Sequence, residues 1–190
     1  AISAGKIEPV GDVVQRLTAG DRVAVLSTPR PEFLITLLAA FKLGAVWVGL
    51  NPRYTYRELA HVISESKPRL ILSLPNIDDR DLEPDIARLT GEFAIERAFR
   101  LDAGEPVGAL GTLPESRPFA PHASKPLDPA TIVFTSGSSG APKGAVLSHR
   151  GLVYASCVES EAIGIAAPRV PCNLPINHVA CLADLTGTTL

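Results

Sequence analysis

Methionine is absent from the whole sequence, the first position included, and the last residues, Asp184 to Leu190, run apolar without a stop signal. Both features read as a piece of a longer protein, or one with residues missing. Cysteine is scarce: Cys157, Cys172 and Cys181 make an odd number with no Cys-x-x-Cys pair, so neither a disulfide framework nor a zinc site is expected. Buried thiols in a reducing cytosol are the expectation. A dominant charge sign is missing too. With 18 basic against 20 acidic residues and a formal net charge of −2, nothing advertises nucleic acid or an anionic membrane as a partner. A charged ligand must then be met by local groups. The stretch Ala1 to Lys6 lacks a basic segment leading into an apolar core and a cleavage site, so no secretory signal is expected and the location is read as cytoplasmic. The longest apolar run, Phe33 to Leu50, is interrupted by Lys42 and Gly44, and reads as a helix followed by a strand, not a membrane span. No internal repeat or heptad is present.

What is there can build a core. Hydrophobic residues make up 46% of 190, enough for one domain or one and a half. Asp12 to Leu17 reads as the tail of a helix ended by Gly20, before a buried strand at Arg22–Ser27. Pro31 suits a first helical turn, and Phe33, Leu34, Leu37, Leu38 and Phe41 recur at helical spacing until Gly44 closes the helix. Ala45–Leu50 is a second strand. Thr55-Tyr56-Arg57-Glu58 is a capping box opening a helix with Leu59, Val62 and Ile63 on its apolar face. Pro68 ends it, and Arg69–Ser73 is a third strand. This alternation predicts right-handed βαβ units on a parallel sheet, an α/β core. The acidic run from Asn76 to Asp85 reads as a solvated face or loop, since no glycine is placed for a calcium-loop turn. Asp102 to Pro129, rich in Pro and Gly, reads as a long surface connection. A helix is expected from about Gly151 to Ile163, capped by Ser148 or His149.

Between the apolar run Thr131–Phe134 and Ala145–His149 lies Thr135-Ser136-Gly137-Ser138-Ser139-Gly140-Ala141-Pro142-Lys143-Gly144. Three glycines in eight residues let the backbone turn several N–H groups toward one anion. The hydroxyls of Thr135, Ser136, Ser138 and Ser139 add donors, and Lys143 adds a mobile positive charge. Pro142 holds Ala141 extended and presents the lysine at the end of the loop. Gly/Ser-rich decamers are often plain linking loops, but two other chemistries fail on spacing. A Walker loop needs Gly-Lys-Ser/Thr, whereas Gly144 follows Lys143. A nucleophile elbow needs Gly-x-Ser-x-Gly, and from Gly137 the last position is Ala141.

The decamer resembles the Thr-Ser-Gly-Thr-Thr-Gly-x-Pro-Lys-Gly signature of the AMP-forming adenylating enzymes, the superfamily of acyl-CoA synthetases, luciferases and peptide-synthetase adenylation domains. Every position matches, with serine for threonine at Ser138 and Ser139, and Val146-x-Ser148-His149 continues the match. Gly20–Ala24, Pro31–Phe33 and Lys42–Pro52 also resemble the front of that family. Pro175-Ile176-Asn177-His178 is similar to its Leu-Pro-x-aromatic-His segment, whose histidine sits beside the acyl carboxylate and the ATP. A lone histidine after a Pro-bounded strand is otherwise more often structural. Asn177 stands in place of the aromatic and Cys181 where a glycine often follows. Both positions line the acid side of the family's site, so the resemblance implies the nucleotide and leaves the acid unspecified.

The resemblance implies the fold of the large N-terminal acyl-CoA synthetase-like domain, incomplete, with residues 1–190 as a partial AMP-binding domain and the C-terminal domain absent. It implies an acid attacking the α-phosphate of Mg–ATP to give acyl-adenylate and pyrophosphate, after which coenzyme A displaces AMP. ATP, Mg2+ and CoA are the expected cofactors and a small carboxylic acid the partner, with a homo-oligomer possible. Lys143 and His178 are the implied catalytic residues. Thr135, Ser136, Gly137, Ser138, Ser139, Gly140, Lys143 and Gly144 would hold phosphate, the glycines permitting the curvature. Much of the family's remaining machinery would lie beyond Leu190, so this piece alone is expected to be inert. An amino-acid-activating branch and a non-catalytic nucleotide-binding module are the alternatives.

Overall fold

The computed structural model describes residues 17–101, 121–135, 142–164, 171 and 173–187. Its centre is a mixed six-stranded sheet in the order β6-β3-β1-β2-β7-β8. The strands are β1 (Arg22–Leu26), β2 (Val46–Leu50), β3 (Leu70–Ser73), β6 (Arg97–Arg100), β7 (Pro129–Thr135) and β8 (Lys143–Ser148). The first five run parallel and β8 is antiparallel to β7. The α/β class with a mostly parallel sheet is as expected, but the antiparallel strand is not. It arises because β8 begins at Lys143, only eight positions after β7 ends at Thr135, a separation too short for the crossover that a parallel neighbour needs.

Helix α1 (Pro31–Leu43) opens with Pro31 and ends at Gly44, whose φ of 69° is left-handed and whose N–H reaches the carbonyls of Ala40 and Phe41. Helix α2 (Tyr56–Ser66) has the expected capping box: Thr55 Oγ1 accepts from the Glu58 N–H while Glu58 Oε2 accepts from the Thr55 N–H at 2.8 Å. Its far end is tied to β1, since Arg22 donates to the carbonyl oxygens of Ser66 at 2.7 Å and Lys67 at 2.6 Å. That charge also suits the negative end of the helix dipole.

Alternation along β1 divides the core. Ala24 and Leu26 face a cluster with Leu59, Val62, Ile63 and Leu89, whereas Val23 and Val25 face one with Phe33, Leu37, Trp47 and Ile176. Helix α1 therefore covers one face of the sheet, and α2 with α3 (Glu83–Glu92) covers the other. Both faces being covered explains why β2 is buried along its whole length.

The acidic stretch is more ordered than a solvated loop. Asn76–Ile77 (β4) and Arg80–Asp81 (β5) pair as a small antiparallel hairpin, and Glu83 and Asp85 lie in the first turn of α3. Arg80 holds it together by pairing with Asp85 and donating to the Pro52 carbonyl at 3.0 Å. Helix α4 (His149–Ile163) is capped by Ser148, whose Oγ accepts from the Gly151 N–H at 3.2 Å. The expected helix tail at Asp12–Arg16, most of the Asp102–Pro129 connection and Cys172 lie outside the described residues.

Candidate functional site

Parallel strands place the loops that follow them on one edge, and ligands of open α/β sheets collect there, where the direction of strand addition reverses. Here it reverses at β1, flanked by β2 and β3, with α1 and α2 on opposite faces. A cavity of about 770 Å³ opens at that point, lined by Thr28 after β1, Asn51 and Arg53 after β2, Asp79 and Arg80 of the hairpin, and Pro175.

The loop after β7 leaves from the same edge. Val48 pairs with Ile132 in the parallel register, so Asn51 and Thr135, each three residues further on, emerge at one level. Thr135 and Lys143 are cross-strand partners, the last pair of the β7–β8 ladder. The ladder thus clamps both ends of the loop, and Thr135 and Lys143 are both exposed. Ser136, Gly137, Ser138, Ser139 and Gly140 lie outside the described residues. Gly144 corrects one expectation. It sits in β8 opposite Phe134 and has no left-handed φ. Its smallness serves approach instead of curvature, because a Cβ there would stand 3.0 Å from Ile132 Cγ2 and 3.1 Å from the Phe134 ring.

Pro175–His178 is not the expected strand end. It is a turn, closed by the His178 N–H donating to the Pro175 carbonyl at 2.9 Å, and it leads into the π-helical segment Cys181–Gly187. Proline and asparagine favour such a turn. Ile176 and Asn177 are buried while His178 is exposed. The His178 carbonyl accepts from the N–H groups of Cys181 and Leu182, and its Nδ1 accepts from the Ala180 N–H at 3.3 Å. An accepting Nδ1 places the neutral ring's proton on Nε2. His178 thus caps the following helical segment through one nitrogen and offers the other as a donor.

Two contributors escape sequence reasoning. Gly49, the penultimate residue of β2, lets the turn settle on the sheet: a Cβ would lie 2.7 Å from the Trp47 ring and 2.8 Å from the Asn177 Cα. A glycine inside a strand is itself a signal of close backbone approach. His61 on α2 reaches the Pro142 carbonyl, and nothing local in the sequence announces that pairing. Cys181 is fully buried, out of reach as a nucleophile. His149 opens α4 as expected, with its ring edge-on to Phe41 at 4.9 Å between centroids. His122 is exposed and donates its N–H to the Lys42 carbonyl. Among the described residues no helix is long and apolar enough to cross a membrane. No three His, Cys, Asp or Glu side chains among them gather to hold a metal.

An open, mostly parallel sheet whose carboxyl edge carries the paired ends of a Gly/Ser/Lys segment defines a protein of the α/β class, in which ligands collect at that edge. More narrowly, the chain belongs to the family of AMP-binding enzymes, whose model matches residues 13–190. It is 33% identical over 164 residues to the olefin beta-lactone synthetase of Stenotrophomonas maltophilia, covering 80% of this chain and 28% of that one. With a feruloyl-CoA synthase of an Amycolatopsis species it shares 32% over 173 residues, 90% of this chain and 32% of the other. Among solved structures, ATP-bound MatB from Rhodopseudomonas palustris superposes with a TM-score of 0.75 at 27% identity, covering 94% of this chain and 36% of that one. The chain thus spans about a third of the length of these relatives.

Proposed function

We propose that this chain is the front of an ATP-dependent, AMP-forming ligase that activates a carboxylic acid as its acyl-adenylate and passes the acyl group to coenzyme A. The observation that carries the reading is the Thr135–Gly144 loop, clamped at Thr135 and Lys143 on the carboxyl edge of the sheet, in a chain whose family match runs over residues 13–190. As the carboxylate attacks the α-phosphate, negative charge collects on the departing β- and γ-phosphates. Donors already aimed there lower the barrier without reorganising. In this scheme Lys143 meets phosphate charge, and the hydroxyls of Thr135, Ser136, Ser138 and Ser139 meet phosphate oxygens. His178 donates Nε2–H to the acid carboxylate or to a non-bridging oxygen of the α-phosphate, whose phosphorus the carboxylate attacks as pyrophosphate leaves.

Coenzyme A as acceptor follows the feruloyl-CoA synthase likeness. The olefin beta-lactone synthetase has a name that specifies a lactone and no thioester, so a CoA-independent outcome is the second reading. Acid-dependent exchange of labelled pyrophosphate into ATP tests the first half-reaction. The full-length polypeptide is given fatty, aromatic, dicarboxylic and amino acids, and one class is expected to support exchange. Release of AMP that then requires CoA supports the ligase, and turnover without CoA supports the second reading. A folded, ATP-binding protein that exchanges with no acid would leave only a nucleotide-binding module. The 190-residue chain by itself is expected to be silent.

A further inference from the structure

His61 stands near the middle of α2, half-buried, with Nε2 2.8 Å from the carbonyl oxygen of Pro142, 81 residues away in sequence. A carbonyl can only accept, so Nε2 carries the proton. The neutral Nε2–H tautomer and the imidazolium both meet that requirement. Pro142 is the last residue before the β7–β8 ladder begins at Lys143, and it has no N–H of its own to fix its peptide plane. The ladder grips Lys143 from the β7 side. His61 grips the peptide immediately before it from the α2 side.

The support behind His61 is rigid. Leu59, Val62 and Ile63 on the same helix are buried in the core. One end of α2 is held by its capping box, the other by Arg22. A hydrogen bond from such a base restricts the peptide on which the lysine stem is built, which reduces the ordering left to do when an anion binds.

We propose that His61 is a positioning residue for the phosphate loop: its Nε2–H to Pro142 carbonyl bond fixes the loop's exit and so the place from which Lys143 reaches the nucleotide. This rests on reading Thr135–Gly144 as a phosphate loop. The residue acts through Lys143 and touches no reacting atom.

The test uses the full-length polypeptide, with calorimetric Kd for Mg–ATP and separate KM values for ATP and acid from pyrophosphate exchange. His61→Leu, which keeps bulk and loses the donor, is expected to raise the ATP Kd and KM about threefold to tenfold, the range of one hydrogen bond. The KM for acid should stay unchanged. His61→Gln, which carries a donor of similar reach, should return ATP affinity to within about twofold of the original. His61→Asn, polar but one bond shorter, should behave like His61→Leu and serves if the leucine variant does not fold. Unchanged ATP affinity in a folded His61→Leu or His61→Asn protein overturns the anchor alone. Equal losses for ATP and acid that His61→Gln does not repair also overturn it, because they mark a merely structural residue. An unaltered parent that binds no Mg–ATP overturns the loop reading itself.

Discussion

Lys143 stands opposite Thr135 at the first position of β8, so its Cα is fixed by the ladder while its ammonium is exposed and can follow a phosphate. Lys143→Ala is expected to weaken the adenylating step of the full-length enzyme by about 1–4 kcal/mol, the range for charge-assisted contacts and oxyanion donors. Thermal unfolding should hardly change, because the side chain is exposed. Unchanged pyrophosphate exchange would sink the assignment. Gly49 presents the opposite case, a residue with no chemistry that shapes the site. An added methyl there meets the Trp47 ring, which is fully buried, and the Asn177 backbone, so neither neighbour can swing aside. Overpacking of this kind costs about 1–3 kcal/mol, and Gly49→Ala should lower the urea midpoint accordingly. Trp47 is the sole tryptophan of the chain, so its emission should shift in the native state of the variant. An unshifted spectrum would mean that the Pro175–His178 turn does not press on β2 as described.

At the scale of elements, what was legible in the sequence was what local chemistry specifies. Pro31 and Gly44 bracket α1, and Thr55 and Glu58 open α2, because those residues act on their own backbone. Helix α3 and strand β6 were not legible. The helix buries only Ile86 and Leu89 and begins among acidic residues that look solvated, and the strand is four residues flanked by arginines. Strand β8 is exposed over its first four positions, so no apolar alternation marks it. The site divides in the same way. The loop's composition could be read directly, whereas the capping role of His178 and the grip of His61 depend on contacts that only the folded chain makes. One such contact couples α4 to α1 through His149 and Phe41. Burial, with His122 adding to it against Asp128, holds the His149 imidazole below its ordinary range near 6.5. A depressed histidine contributes stability above its unfolded pKa and loses it as pH falls through the folded value. The urea midpoint should therefore drop between about pH 7.5 and about pH 5.5, and His149→Phe should flatten that drop. Asp21 cannot supply the same slope. Burial pushes its carboxyl up, but Thr18 and Arg69 outweigh burial and hold it below its ordinary 3.8, so its contribution is lost only at lower pH. A His149→Phe protein with the original slope would refute the coupling.

For the molecule as a whole, the sheet is buried at its centre, along β1 and β2, and exposed at its β8 edge. Beyond β8 no strand pairs with it among the described residues, and Val146 on that edge is 60% exposed. The adjoining helix α4 has no buried residue, and Val153, Tyr154 and Val158 are 62%, 69% and 47% exposed. An unpaired edge beside an apolar helix face is what sheets of separate molecules join through. The chain has little net charge to oppose that, at −2 overall. Self-association of the 190-residue chain is the expected result, seen as a sedimentation coefficient that rises with concentration. Val146→Lys puts a charge on the free edge, and Val158→Lys puts one on the helix face. Each should shift the chain toward monomer without lowering its unfolding midpoint, since neither valine is buried. If only Val146→Lys acts, joining runs through strand pairing; if only Val158→Lys acts, it runs through the helix face. A chain that stays monomeric at every concentration would show that the exposed strand edge and helix face do not join copies of this chain.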